Sequence, residues 1–251
     1  MTLGRLFRFS WRSVLLMGWV GIGLAIISLI FPWAKPHWRQ RIIQWWSNYL
    51  LRFCGVQVRY SGAAITAQPV LFVANHVSWL DVFVINRQRA TAFVAKKEIR
   101  RWPVLGSLVA WSGTVFIDRT QRHAIKEVVV QIEQKLVLNQ AVGLFPEGKT
   151  SDGLQVQPFH SSLFETAIRA QMDVQPVALR FYRGTERCTA VAFVGSQTII
   201  QNVWLVLTRP GVRIECEFLT VLHHHQNQSQ GRAATAKQAQ QLIEQAVLKG
   251  L

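Results

Sequence analysis

The sequence predicts an α/β fold, a sheet with helices on its faces, behind an N-terminal helical segment suited to a membrane surface. Three observations carry this. From residue 70 onward, short β-like apolar runs alternate with helical stretches, the pattern of a sheet covered by helices. Residues 1–80 hold eight basic residues and no Asp or Glu. Six of the ten Trp fall within the first 46 residues.

The N-terminal segment comes first. Ser13–Ala34 contains no charged residue over 22 positions. As a helix it would run about 33 Å, enough to cross a hydrocarbon core. In Trp38–Phe53, Trp38, Ile42, Trp45, Trp46, Tyr49, Leu50 and Phe53 recur at helical spacing, with Arg39, Arg41 and Arg52 between them. That predicts an amphipathic helix at an interface, where cations meet anionic head groups and indoles straddle the boundary. Basic residues flank both ends, so a spanning helix and an interfacial hairpin both fit. A secretory leader fits less well, because the apolar stretch is too long and no small-x-small site ends it.

Further along, Val70–Ala74 reads as a buried strand, with a helix from about Ser78. Thr91–Ala95 is strand-like, and Glu98–Trp111 helical with an interruption at Pro103. Val115–Ile117 reads as a strand, Arg122–Leu138 as an amphipathic helix, Val142–Phe145 as a strand and Ser161–Ala170 as a helix. Val174–Phe181 and Ala190–Val194 look strand-like. Val212–Phe218 alternates apolar and polar residues cleanly, and Arg232–Lys249 closes as an Ala/Gln-rich helix. His223–Gly231 reads as a low-complexity loop.

Composition narrows function. Lys and Arg total 28 against 13 acids, a net charge of +15, which points to an anionic partner: nucleic acid, anionic membrane or phosphorylated substrate. Nucleic acid is the weaker choice, since the cations cluster around an apolar segment and no zinc-finger spacing or basic zipper is present. Cys54, Cys188 and Cys216 are scattered and form neither a disulfide framework nor a metal pair. His223, His224 and His225 lack ligand spacing, so no metal is expected.

Two blocks carry chemistry. Asn75-His76-Val77-Ser78-Trp79-Leu80-Asp81 follows a strand and opens a helix. On one continuous helix, His76 and Asp81 would lie about 140° apart. They meet only if His76 sits in the loop before the helix. Asp81 could then orient the imidazole, and His76 could act as general base on a hydroxyl. Ser78-x-x-Asp81 is equally a capping box, with Asp81 bonding backbone. The second block is Phe145-Pro146-Glu147-Gly148-Lys149-Thr150. From Gly143 it matches the pattern GxxxxGK[ST], but Pro146 removes an N–H, Glu147 repels phosphate, and Ser151-Asp152-Gly153 is turn chemistry where a P-loop needs a helix. A nucleotide hydrolase and a non-catalytic membrane-binding module are the distant alternatives. Two lesser blocks are Gly113–Arg119, with Arg119 just past a strand, and the strand Val174–Arg180, entered by Pro176.

Taken in order, these four blocks resemble those of the PlsC-type glycerolipid acyltransferases, the lysophosphatidic acid acyltransferase (1-acyl-sn-glycerol-3-phosphate acyltransferase) family. Asn75, His76 and Asp81 meet its NHxxxxD pattern, and Phe145–Gly148 its FPEG block. Thr150–Gly153 and Pro158–Ser162 also look like the lyso-ornithine lipid branch, while Lys149 and Thr150 depart from the commonest form after FPEG. The resemblance implies a mixed, mostly parallel sheet flanked by helices. The resemblance covers roughly residues 60–215; with the N-terminal pattern read as an anchor over 1–55, the acyltransferase domain is expected over 56–251. The resemblance further implies a fatty acyl transfer from acyl-CoA or acyl-carrier protein to a lysolipid hydroxyl, most simply 1-acylglycerol-3-phosphate, with no other cofactor. His76 and Asp81 would be catalytic. Asn75, Arg119, Glu147, Gly148, Lys149 and Thr150 would bind the acceptor, Glu147 through a hydroxyl or by orienting Arg119. The enzyme would sit on the cytoplasmic membrane and face the cytosol.

Overall fold

The computed structural model describes residues 3–118, 124–137 and 139–249. Two helices, α1 (Leu3–Leu29) and α2 (Pro36–Phe53), precede β1 (Val56–Ser61), β2 (Val70–Ala74), α3 (Leu80–Gln88) and β3 (Thr91–Lys96). A 3₁₀ turn (Lys97–Arg101), α4 (Leu105–Trp111), β4 (Val115–Ile117), α5 (Ala124–Val137) and β5 (Ala141–Leu144) follow. A second 3₁₀ turn (Ser161–Phe164) leads to α6 (Glu165–Arg169), β6 (Asp173–Arg183), β7 (Glu186–Arg187), α7 (Ile199–Thr208), β8 (Val212–Phe218) and α8 (His224–Leu248).

The sheet order is β1-β8-β6-β2-β5-β3-β4, with β7 paired to β6. All ladders on this path are parallel except β6 with β8. The predicted α/β class, mixed and mostly parallel, is the one observed. Burial explains the composition of the central strands. Every residue of β2 is buried, as befits a strand covered on both faces. Val70, Phe72 and Ala74 face a core shared with Trp19, Leu50 and Leu51 of the N-terminal helices. Leu71 and Val73 face the other core, with Phe164 and Ile243. The first two helices are thus packed into the same body as the sheet.

Several boundaries differ from expectation. Helix α1 starts ten residues before Ser13 and stops before Pro32, because a residue ahead of proline resists the helical region. Its Arg12 is held inside the fold, Nη1 donating to the carbonyls of Leu207 and Arg209 at 3.0 Å each. The expected 98–111 helix is a 3₁₀ turn and a separate α4, broken around Pro103. Ala190–Val194 is not a strand. Its carbonyls at Val191 and Ala192 accept from the Asn202 side chain, and Phe193 N donates to Val77 O at 2.9 Å, so its backbone is satisfied without a ladder. The His223–Gly231 stretch is mostly helical: α8 begins at His224 and kinks at Gly231 (φ 79°). The long-range carboxylate of Asp173 accepts from His224 N at 2.8 Å and caps that start.

Strand β1 and helix α7 add to the expected elements. Val56, Val58 and Tyr60 alternate with Gln57, Arg59 and Ser61, the ordinary mark of a half-buried strand. Thr198 and Gln201 form a reciprocal capping box at the start of α7, a signal also present in the sequence.

Candidate active site

The loop leaving β2 carries the first block. His76 lies before α3, and Asp81 lies in the first turn of that helix. The imidazole Nδ1 is 2.8 Å from Asp81 Oδ2. The same oxygen accepts from the backbone N–H of Val77 at 2.7 Å and of Ser78 at 2.9 Å. The two sequence readings therefore coexist: Asp81 satisfies the backbone at the helix start and holds the imidazole. Ser78 itself is not the cap. The helix begins at Leu80, and only a 3.4 Å contact links Leu80 N to Ser78 Oγ.

Asp81 is fully buried, whereas the His76 side chain is 20 % exposed. With Nδ1 committed to an anion, the N–H sits there and Nε2 is left as the acceptor. The ring stacks on Phe145 (4.0 Å, 11°), which stacks on Phe93 (5.3 Å, 8°). Gly143 makes this possible, because a Cβ there would lie 2.4 Å from the Phe93 ring.

The second block is a turn. Gly148 N donates to Phe145 O at 3.1 Å, with Pro146 fixing the first central position. No helix follows, so the P-loop match carries no P-loop structure. Glu147 is 4 % exposed and turned inward. Its carboxylate accepts from His76 N (2.8 Å) and Gln157 N (3.2 Å). It ties the FPEG turn to the loop that carries His76. Burial pushes this carboxyl up to about 7, helped by the charge of Asp81 and opposed by those two backbone donors and Ser151.

That shift predicts a pH effect. A carboxyl with a raised folded value is favoured protonated in the fold. Its stabilising contribution is full below about pH 4.5 and is lost as pH rises through about 7. Wild type should lose stability relative to Glu147→Gln across that window, on the order of 3 kcal/mol. Parallel melting profiles for the two proteins from pH 4.5 to 8 would refute this.

Other expected residues separate into two groups. Asn75 is fully buried, and both ends of its amide pair with Leu179 of β6, donating to O at 2.9 Å and accepting from N at 2.8 Å. It fastens the loop to the sheet. Gly148, Lys149 and Thr150 line the cavity that also receives His76. The Thr150 hydroxyl donates to Phe193 O. Arg119 lies outside the described residues. Lys96, at the end of β3, lines the same cavity and was missed; its signal was a lysine pair directly after an apolar strand.

The cavity holds about 990 Å³. Its walls come from α1, α2, α3, α4, α7 and β3, and are largely apolar: Ile26, Ile27, Ile43, Phe83, Leu108 and Val203 are among them. The His76 imidazole and Lys149 are among its polar lining. Such a space suits a long hydrocarbon chain with a reactive end at His76.

A buried carboxylate holding a partly exposed imidazole beside an apolar cavity, on this α/β sheet, suits acyl transfer to a lipid hydroxyl. The comparisons agree. The family model described as Acyltransferase matches residues 56–180. A lyso-ornithine lipid O-acyltransferase of Pseudomonas aeruginosa is 31 % identical over 94 % of this chain and 92 % of its own length. The Brucella abortus protein of that description is 34 % identical over 79 % and 80 %. A 1-acyl-sn-glycerol-3-phosphate acyltransferase of Neisseria gonorrhoeae is 39 % identical over 61 % of this chain and 60 % of its own. The crystal structure of the lysophosphatidic acid acyltransferase PlsC from Thermotoga maritima superposes with a TM-score of 0.74 at 18 % identity, covering 97 % of this chain and 94 % of that one. The chain belongs to this acyltransferase family.

Proposed function

We propose that the protein transfers a fatty acyl group from an acyl thioester to the hydroxyl of a lysolipid, with lysophosphatidic acid as the first acceptor. The observation that carries this is the 2.8 Å His76–Asp81 pair at the wall of an apolar cavity. His76 Nε2 takes the hydroxyl proton as the oxygen attacks the thioester carbonyl. The tetrahedral intermediate collapses, the C–S bond breaks, and the thiolate leaves with the proton from His76. Asp81 keeps Nδ1 protonated and offsets the imidazolium charge. Burying the acyl chain contributes about 0.8 kcal/mol per methylene. Lys96 and Lys149 supply cations for a phosphate, with Arg119 as a further cation from the chain's own motif.

The domain division follows from the same reading: residues 1–55 attach the enzyme and 56–251 carry the reaction. Among the described residues, α1 is the one helix long and apolar enough to cross a bilayer. It instead packs along its length against the body. Trp19 and Trp46 donate their indole N–H groups to each other's carbonyls (3.0 and 3.3 Å), and Phe31 meets Trp111 edge-on. Its opposite stripe exposes Phe7, Trp11, Val14 and Leu29. One packed face and one bare apolar face favour a helix lying in the interface over one surrounded by lipid. The site then opens at the cytosolic leaflet, where a thioester carrier reaches it.

The near-full-length relatives described as lyso-ornithine lipid O-acyltransferases favour that acceptor as a second reading. A panel separates them: purified full-length protein, labelled acyl-CoA or acyl-carrier protein, and either lysophosphatidic acid or lyso-ornithine lipid. We expect transfer to lysophosphatidic acid. Faster transfer to lyso-ornithine lipid would select the second reading, and no transfer to any lysolipid would overturn both.

A further inference from the structure

A second apolar space lies outside the catalytic cavity. It is a groove of about 1000 Å³ between α1 and α7, floored by Phe9, Leu16, Met17, Ile200 and Trp204. Leu16 and Val203 line both this groove and the cavity of His76. Met17 and Ile200 are 73 % and 79 % exposed, so the groove is continuous with bare apolar surface.

Its charge setting is one-sided. All lining residues come from two segments, 9–17 and 196–207, inside stretches without a single Asp or Glu (1–80 and 188–214). At the Leu207 end, the Arg12 guanidinium reaches across to α7. Arg8 sits one turn earlier on the same helix face, where like charges repel. Burial and the charge of Arg8 both disfavour the Arg12 cation. No carboxylate pairs with either among the described residues, and Arg8 Nε is buried without a hydrogen-bond partner. The Arg12 guanidinium, bonded to the carbonyl of the groove residue Leu207, and Arg8 one turn before it put two cations beside this apolar channel, a pairing complementary to an anionic head on a hydrocarbon chain.

We infer that the α1–α7 groove binds an anionic membrane phospholipid, its chain along Leu16, Met17 and Trp204 and its phosphate at Arg8 and Arg12. This lipid is distinct from either substrate, since the reacting groups meet at His76 on the other side of Leu16 and Val203. It neutralises the arginine pair and fills the seam by which α1 is held to the catalytic body. The inference rests on the interfacial placement of α1 proposed above.

The test uses full-length protein in neutral detergent, given phosphatidylglycerol or phosphatidylcholine of matched chains, with retained lipid counted by native mass spectrometry. Wild type should retain one phosphatidylglycerol, at least about tenfold more tightly than phosphatidylcholine. Arg8→Gln should erase most of that preference, and Ser13→Trp should block the groove. His76→Ala should leave retention unchanged, which separates this site from the catalytic one. Inorganic phosphate at millimolar concentration should not displace the lipid. Equal retention of the two lipids, displacement by phosphate, or wild-type retention in Arg8→Gln would overturn the inference. Cosedimentation with phosphatidylglycerol vesicles is measured in parallel. Its complete absence would overturn the interfacial placement and the lipid site together, whereas vesicle binding with equal lipid retention would overturn the lipid site alone.

Discussion

His76→Ala should lower acyl transfer by at least about 10²-fold, the ordinary worth of a positioned general base. The loss should appear in kcat, with the KM for the acyl donor little changed, because the apolar walls proposed to take the chain are built mostly from residues other than His76. The fold should survive. The imidazole is partly exposed, and Asp81 keeps two backbone donors after its removal. The change should cost about 1–2 kcal/mol, mainly one hydrogen bond and the stack on Phe145. Initial rates and a melting curve on the same preparation check both halves. Unchanged turnover in a folded variant would remove His76 from the chemistry and leave the block as a structural loop.

What could be read in advance follows the range of the interactions involved. Val70–Ala74, Val115–Ile117 and Val212–Phe218 form strands at the expected residues, because burial on a sheet imprints a local pattern of side chains. The meeting of His76 and Asp81 was legible too, since one helix boundary decides it. Features set by distant partners were not. The start of α8 depends on Asp173, about 50 residues away, and the coil at 190–194 depends on Asn202 and Val77. Glu147 shows the limit within a motif. Its sequence neighbours suggest an exposed turn, yet its oxygens face N–H groups on His76 and Gln157. Asn75 belongs to the same signature block as His76 and Asp81, and its amide clasps the loop after β2 to Leu179 of β6. A motif thus mixes residues that face the cavity with residues that hold its walls, and only the contacts sort them.

Asp81 performs both duties through one oxygen, and two substitutions should pull them apart. Asp81→Asn can keep an acceptor where Oδ2 receives Val77 N, Ser78 N and His76 Nδ1. It removes the charge that offsets the imidazolium and fixes the tautomer. Its rate should fall by about 10²- to 10⁴-fold, as when a carboxylate behind a catalytic histidine is made an amide. Its melting temperature should drop less than that of Asp81→Ala, since the three donors keep their acceptor and the only new cost is the amide N–H groups in place of Oδ1, an atom with no hydrogen-bond partner here. Asp81→Ala leaves three donors without an acceptor in a fully buried site. It should lose the same activity and also on the order of 3 kcal/mol of stability, because each buried donor left unmade costs about 1–3 kcal/mol before the loop relaxes. The informative quantity is the contrast. If Asn lowers the melting temperature while kcat stands, Asp81 is a helix cap and the imidazole works without it. If Asn removes activity while the protein melts near the wild-type temperature, the carboxylate's charge belongs to the reaction and its hydrogen bonds to the fold.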